Sequence, residues 1–420
     1  MPQGVIQLAY IGPQDKYLTG DPQMSYFVSA YKRSTKFAIE SVRQYFIGGA
    51  DFGKTSDVLL EKIGDLCSAM YLQIKLPDLN NLIPNKPSDE IYGYINAIGH
   101  ALIESYEIHI GNQIIDKQYG YWLEIWTSLT TSSGKEQAYF TMVGKFPPLL
   151  FNASSNARPL NLYIPLQFWF NTNIGLALPL ISLQRQAVKL RFTFRDYRQC
   201  WTSNVESFPT LDFNPFPNGI HFDSAFLWVD MIYLDQEERR LFAETPHQYV
   251  IEQVQINHLS LNQDQIDHNV QMTFNHPIKE LFWVFQNKET FFYAPNKNPN
   301  FFNFTDQPIQ TSIKAIDPMD SCKIKFENID RFEERESFYF TTILPFQYHT
   351  RVPTNLIHIY SFSIYPEKSE PSGTCNFSRI DSSVIYVKMK QDLPPLDIII
   401  FAKNYNFLII TGGLGGILFK

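Results

Sequence analysis

The stretch GGADFGKTSD (Gly48 to Asp57) satisfies the phosphate-loop pattern GxxxxGK[ST] through Gly48, Gly53, Lys54 and Thr55. In a working phosphate loop the glycines turn backbone N–H groups toward phosphates, the lysine reaches the β/γ oxygens and the hydroxyl holds Mg²⁺. AFLWVD (Ala225 to Asp230) could complete such a site as an apolar strand ending in a Mg²⁺-binding carboxylate. The pattern carries weight only between a buried parallel strand and a helix. Upstream, Ile39 to Ile47 mixes polar and apolar residues as an antiparallel strand does. Downstream, DVLLEKIGDL (Asp57 to Leu66) fits a helix by periodicity and a hairpin by its Ile63-Gly64-Asp65 turn. Ala225 to Asp230 reads better as a strand closing a sandwich, with Asp230 on its polar face.

The remaining chemistry-bearing residues are scattered. Nine histidines contain no HExxH, and His268 and His276 flank strand-like NVQMTF, so no metal site is expected. Cys67, Cys200, Cys322 and Cys375 form no CxxC pair and read as reduced thiols of a cytosolic product. GGLGG (Gly412 to Gly416) lacks dinucleotide-loop spacing and suits a turn with close backbone approach. DRFEERE (Asp330 to Glu336) reads as a solvated or subunit-rim charge cluster rather than a catalytic carboxylate pair. Sequons at Asn152, Asn303 and Asn376 fit glycan acceptors, but no secretory leader is read in MPQGVIQLAYIGPQDK, so they count as incidental. No catalytic, cofactor-binding or metal-ligating residue is expected.

The elements that must position these residues are mostly strands. Aromatics make up 15% of the 420 residues and prolines number 26, a composition of short strands joined by loops rather than alternating βα units. Met70, Leu72, Ile74 and Leu76 alternate with polar neighbours, as do Tyr106, Ile108 and Ile110, and Val188, Leu190, Phe192 and Phe194. Helical spacing occurs at Ile115 to Leu129 and in DQEERRLFA (Asp235 to Ala243), which follows strand-like FLWVDMIYL. The charge of −7 gives no basic field for nucleic acid, and glycines and charges interrupt the apolar stretch Leu396 to Phe419 as a spanning helix would not allow.

The two halves echo each other weakly. At an offset of 196, LYIPLQFWF (Leu162 to Phe170) falls on HIYSFSIYP (His358 to Pro366), and LISLQRQAVKLRF (Leu180 to Phe192) on NFSRIDSSVIYVK (Asn376 to Lys388). IHIGNQIIDK (Ile108 to Lys117) resembles IKFENIDR (Ile324 to Arg331) at another offset. With so many strands, this suggests two copies of one all-β unit.

YLTGDPQ (Tyr17 to Gln23), YKRSTKFAIE (Tyr31 to Glu40), GLALPLISLQ (Gly175 to Gln184), HQYVIEQ (His247 to Gln253), FNHPIKELFW (Phe274 to Trp283), PSGTCNFSRID (Pro371 to Asp381) and AKNYN (Ala402 to Asn406) run in order along the chain. Together they resemble the major capsid proteins of nucleocytoplasmic large DNA viruses, chlorella viruses and iridoviruses above all. The resemblance implies an all-β double jelly roll: two eight-stranded antiparallel sandwiches in tandem with short connecting helices. It places an arm at residues 1–24, a first jelly roll at 25–235, a linker helix at 236–246 and a second jelly roll at 247–420. It further implies a homotrimer forming a pseudo-hexagonal capsomer, and an icosahedral shell of such capsomers over an internal membrane. The implied partners are neighbouring capsomers, minor capsid proteins and that membrane at the capsomer base, with no direct nucleic acid; assembly would occur in host cytoplasm. A phosphate-loop nucleotide-binding protein, a minor capsid protein and a lectin-like jelly roll are the alternatives. PNKNPNFFNF (Pro295 to Phe304) and DFNPFPNG (Asp212 to Gly219) are expected as exposed or inter-subunit loops.

Overall fold

The computed structural model describes residues 35–84, 86–147, 151–205, 214–288, 301–306 and 316–419. The expected arm at 1–24, with YLTGDPQ, lies outside them. Strands of the first half are β1 (Phe37–Gln44), β2 (Phe46–Ile47), β3 (Thr55–Leu59), β4 (Leu66–Leu76), β5 (Tyr92–Tyr94) and β6 (Ile103–Ile110). They continue as β7 (Gln113–Tyr119), β8 (Leu160–Pro165), β9 (Leu178–Pro179), β10 (Val188–Phe194), β11 (Trp201–Ser203) and β12 (Ser224–Leu234). One sheet runs β1-β12-β4-β8 with β9 also on β4; its partner runs β2-β3-β10-β6-β7. Every pairing is antiparallel, and alternation does the rest: Met70, Leu72, Ile74 and Leu76 of β4, and Val188, Leu190, Phe192 and Phe194 of β10, are buried between the sheets.

The second half repeats this plan. Its strands are β13 (His247–Ser260), β14 (Asp267–Gln271), β15 (Pro277–Asn287), β16 (Met319–Phe326), β17 (Ile329–Asp330) and β18 (Arg335–Glu336). After these come β19 (His358–Ser361), β20 (Cys375–Asn376), β21 (Ser383–Met389), β22 (Leu396–Thr411) and β23 (Leu414–Ile417). The sheets are β13-β22-β15-β19, with β20 on β15 and β23 on β22, and β14-β21-β16-β17, with β18 on β16. β13, β22, β15, β19 and β20 therefore occupy the places of β1, β12, β4, β8 and β9, and β14, β21, β16 and β17 those of β3, β10, β6 and β7. The weak sequence echoes fall on these equivalences: Leu162 lies on β8 and His358 on β19, Val188 on β10 and Val384 on β21, and IHIGNQIIDK and IKFENIDR are the matching hairpins β6–β7 and β16–β17.

Between the halves the helix Gln236–Glu244 is capped by Asp235, whose carboxylate accepts from the Gln236 N–H. Three expectations need correction. Helical spacing at Ile115 is overridden by the β6–β7 ladder, in which Asp116 pairs with Ile108, so strand continues to Tyr119 and the helix spans Gly120–Thr130. The end of PNKNPNFFNF is not an exposed loop, because Phe301, Phe302, Asn303 and Phe304 are buried, with Arg195 over the Phe301 ring and Tyr121 edge-on to Phe302; Pro295 to Asn300 lie outside the described residues. Within DFNPFPNG, Phe216 is buried against Tyr92 and Trp201 while Asn214, Pro217 and Asn218 stay exposed; residues 212–213 are outside the description. In both loops the large apolar area of phenylalanine outweighed the turn residues around it.

Candidate functional site: the junction between the two units

The phosphate-loop match is a hairpin connection. β2 leads into it and β3 leads out, antiparallel, with Ile47 opposite Asp57. No helix N-terminus follows to face a phosphate. Gly48, Gly49 and Gly53 take φ values of 75°, 80° and 68°, the left-handed region a side chain would resist. Lys54 is exposed and lies 3.7 Å from Asp51, whose other contacts are His221 and the Phe222 and Phe52 N–H groups. Burial works to raise the Asp51 carboxyl, but those hydrogen bonds outweigh it and hold the group below the usual carboxylate range. Asp57 points to Arg191, which grips it with two nitrogens at 2.8 and 3.1 Å and lowers its carboxyl. Asp230 lies on β12, a central strand of the first sheet, away from this hairpin. The nucleotide-binding alternative is therefore not supported: Lys54 pairs with Asp51, Asp57 with Arg191 and Lys189, and Asp230 lies apart from both.

Other candidates also resolve into structure. His268 donates its Nε2–H to the Gln265 carbonyl at 3.0 Å, and no cluster of three metal-ligating groups exists among the described residues. The four cysteines are free thiols, Cys67, Cys200 and Cys322 fully buried. Gly412 and Gly413, at φ 61° and 84°, turn β22 into β23. In DRFEERE, Asp330 faces Lys323 and Lys325 at an open edge. Asn152 and Asn376 are exposed, each capping its own turn through its side-chain oxygen, whereas Asn303 is buried. No helix among the described residues is long and apolar enough to cross a membrane.

The most elaborate construction lies between the units. The helix Gly120–Thr130 of the first unit lays Trp122 and Trp126 on the outer face of the sheet β13-β22-β15-β19. Trp122 meets Phe282 edge-on at 5.1 Å and Phe401 at 5.8 Å, and the Lys403 ammonium sits 3.7 Å over the Trp126 ring. A desolvated cation over an indole is worth about 2 kcal/mol. Lys403 is itself held at 2.8 Å by Glu252, which also binds Lys279. Burial and the Lys403 charge push Lys279 down to about 8. Edge-on to Trp126 at 6.1 Å, His349 bridges Glu280 at 2.8 Å and Glu367 at 3.1 Å. Burial would lower His349, but the two carboxylates prevail and raise it to about 9.

Polar groups stitch the rest of the junction. The Val254 N–H donates to Asp116 at 3.1 Å, and Gln253 donates to the Ile115 carbonyl, tying β13 to β7. Burial pushes the Asp116 carboxyl up to about 7. Arg351 pairs with Glu136, and the Arg351 N–H donates to the Leu129 carbonyl at 3.0 Å. Glu124 is fully buried between His100 and Lys145, with Asn355 of the second unit 3.4 Å away; burial opposes its charge, yet Lys145 and His100 pull it down to about 2. The turn after β22 adds the Arg185 N–H to the Gly413 carbonyl, 3.0 Å. One continuous apolar cluster runs through both units across this junction. The chain thus carries two sandwiches locked into one body, the class of tandem two-sandwich proteins to which jelly-roll shell proteins belong.

Comparison with known proteins narrows the class. A model described as "Major capsid protein N-terminus" matches residues 25–235, and "Large eukaryotic DNA virus major capsid protein" matches 238–416. The chain is 34% identical to the major capsid protein of Pyramimonas orientalis virus, over 99% of each, and 31% identical to that of Paramecium bursaria Chlorella virus 1, again over 99% of each. Among solved structures, PBCV-1 VP54 superposes with a TM-score of 0.78 at 28% identity, covering 94% of this chain and 100% of that one. The Faustovirus major capsid protein shares the fold at a TM-score of 0.73 and 13% identity, over 93% of each chain. This chain belongs to the family of major capsid proteins of large eukaryotic DNA viruses, and its fold is the double jelly roll.

Proposed function

We propose that the chain is the shell-building subunit of a virion, acting through surface complementarity and carrying no catalytic activity. Three copies form a homotrimer in which six sandwiches make a pseudo-hexagonal capsomer, and capsomers tile an icosahedral shell. The observation that carries this reading is the repeated topology: two equivalent sandwiches lie side by side in one chain, so three chains supply six similar blocks. The units divide at 25–235 and 247–420 about a linker at 236–246. The arm at 1–24 faces minor capsid proteins or an internal membrane at the capsomer base, and assembly takes place in host cytoplasm. The relatives' names as capsid proteins support the structural role. Sedimentation of the purified protein tests it: a species at three times 48.8 kDa, about 146 kDa, is expected. A stable single chain at micromolar concentration would refute the trimer.

A further inference from the structure

The seam between the units buries a lysine, a glutamate and an asparagine in mutual contact, and shell building makes no use of their chemistry. Glu124, on the helix Gly120–Thr130, is fully buried, and its two carboxylate oxygens have different partners. Oε2 accepts from His100 Nδ1 at 2.8 Å, while His100 Nε2 accepts from the Tyr139 hydroxyl at 2.6 Å. Burial lowers His100 and keeps its ring neutral, the form that donates from one nitrogen and accepts at the other. Oε1 is left to Lys145 Nζ of the first unit at 2.5 Å, Asn355 Nδ2 of the second at 3.4 Å and the Ser128 hydroxyl at 3.4 Å. A carboxylate only accepts, so the Asn355 amide must turn its NH₂ toward Glu124, and the amine and the amide meet across one oxygen. Little water reaches them: Asn355 is 8% exposed, the Lys145 side chain 12%, and the Phe140 ring lies 5.0 Å from Nζ. These are the groups an amide exchange needs, namely a nucleophile, an acyl carbon and a proton carrier.

We infer that Lys145 and Asn355 condense into an isopeptide bond that staples the two units together, with Glu124 as the proton carrier. Glu124 takes a proton from the Lys145 ammonium, and the freed amine attacks Asn355 Cγ. Glu124 passes that proton to Nδ2, then carries a second one from Nζ, and the Cγ–Nδ2 bond breaks. The products are a secondary amide, an ionised Glu124 and one ammonium ion; nothing is oxidised and no other reactant is consumed. Burial works to raise the Glu124 carboxyl, yet Lys145 and His100 hold it at about 2, so it starts as the ionised acceptor this sequence requires. So weak a base makes the first transfer uphill, and the bond forms slowly, once per chain, without turnover. Confinement of both groups at one oxygen supplies the high local concentration that such a step needs.

Electrospray mass measurement of the purified, denatured full chain tests the bond. Wild type should weigh one ammonia less than its sequence, and a tryptic digest should contain a branched peptide joining Lys145 to Asn355, uncut after Lys145. Lys145→Arg keeps a cation on Glu124 but offers no amine, so it should fold with unchanged near-UV circular dichroism and show its full sequence mass. In protein refolded from urea, Glu124→Gln should slow the appearance of the branched peptide about a hundredfold or more. Should that variant fail to fold, the masses of wild type and Lys145→Arg still decide. Folded wild type that keeps its full mass through prolonged incubation, or an ammonia loss that persists in Lys145→Arg, would overturn the bond and leave the trimer reading untouched. An unchanged rate in folded Glu124→Gln would overturn the role given to Glu124.

Discussion

Two sheets that share one four-strand order have opposite fates. At the centre of β13-β22-β15-β19 both faces are buried: β22 is buried at its first eleven positions, and β15 at all but its first residue. In β1-β12-β4-β8 the strand β12 alternates, with Leu227, Val229 and Met231 inside and Phe226, Trp228 and Asp230 only partly covered. The difference lies in what covers the outer face, not in the strands' own pairing. A sheet packed on both sides reads as a continuous apolar run, and one packed on a single side alternates. β22 reads LDIIIFAKNYNFLII and β12 reads SAFLWVDMIYL, so the chain writes its internal junction into its hydrophobic pattern.

The sharpest test of this contrast is truncation of one aromatic on each side. Trp122→Ala removes a ring buried between the units and should cost about 3–5 kcal/mol in urea unfolding of the dissociated chain. An effect below about 1 kcal/mol would break the claim that the junction is a packed core. Next comes pH. His349 is raised from an ordinary value near 6.5 to about 9, so its proton stabilises the fold fully below pH 6.5 and that contribution fades as pH rises toward 9. Lys279, pushed down to about 8, acts in the opposite sense above pH 8, and Asp116, raised to about 7, titrates below it, so the comparison is made against His349→Gln, in which both are kept. Wild type should lose on the order of 2 kcal/mol relative to His349→Gln as pH rises from 6.5 toward and beyond 9; parallel stability curves for the two proteins would contradict it.

A smaller effect is expected on the open face. Trp228→Ala should cost about 1 kcal/mol or less in the single chain, because its ring lies on the outer face of the sheet and is only partly covered. Smallest of all is Lys54→Ala, within about 0.5 kcal/mol of wild type. Calorimetric titration of the wild type with Mg-ATP should give no heat of binding, and micromolar affinity abolished by this substitution would restore the nucleotide reading.

Much of the fold was legible because alternation and burial coincide. Met70 to Leu76, Tyr106 to Ile110 and Val188 to Phe194 each expose their period-2 pattern directly, and each lies in a sheet with one face to the core. The repeat was legible only faintly, since topology constrains which face is apolar and leaves residue identity free. The run of β22 hints at a covered sheet, but the contacts that make the junction were not legible. Trp122, Trp126, Phe282 and Lys403 come from elements more than a hundred residues apart, and a lysine in a strand carries no local sign that an indole will cover it. Phe301 to Phe304 misled for a related reason: proline and asparagine beside them signal a loop, and nothing local says that the other unit will bury their rings. Gly48 to Asp57 erred the other way, matching a catalytic pattern whose meaning depends on flanks that here are two antiparallel strands.

The linker helix Gln236–Glu244 has a thermodynamic consequence. By joining the units covalently it makes one of the two kinds of seam an intramolecular event, driven by an effective concentration in the millimolar range for a short tether. Any contact between separate chains is governed instead by mass action. The subunit can therefore be fully folded, internal seam included, while still dilute, and growth of a shell waits on the number of copies made.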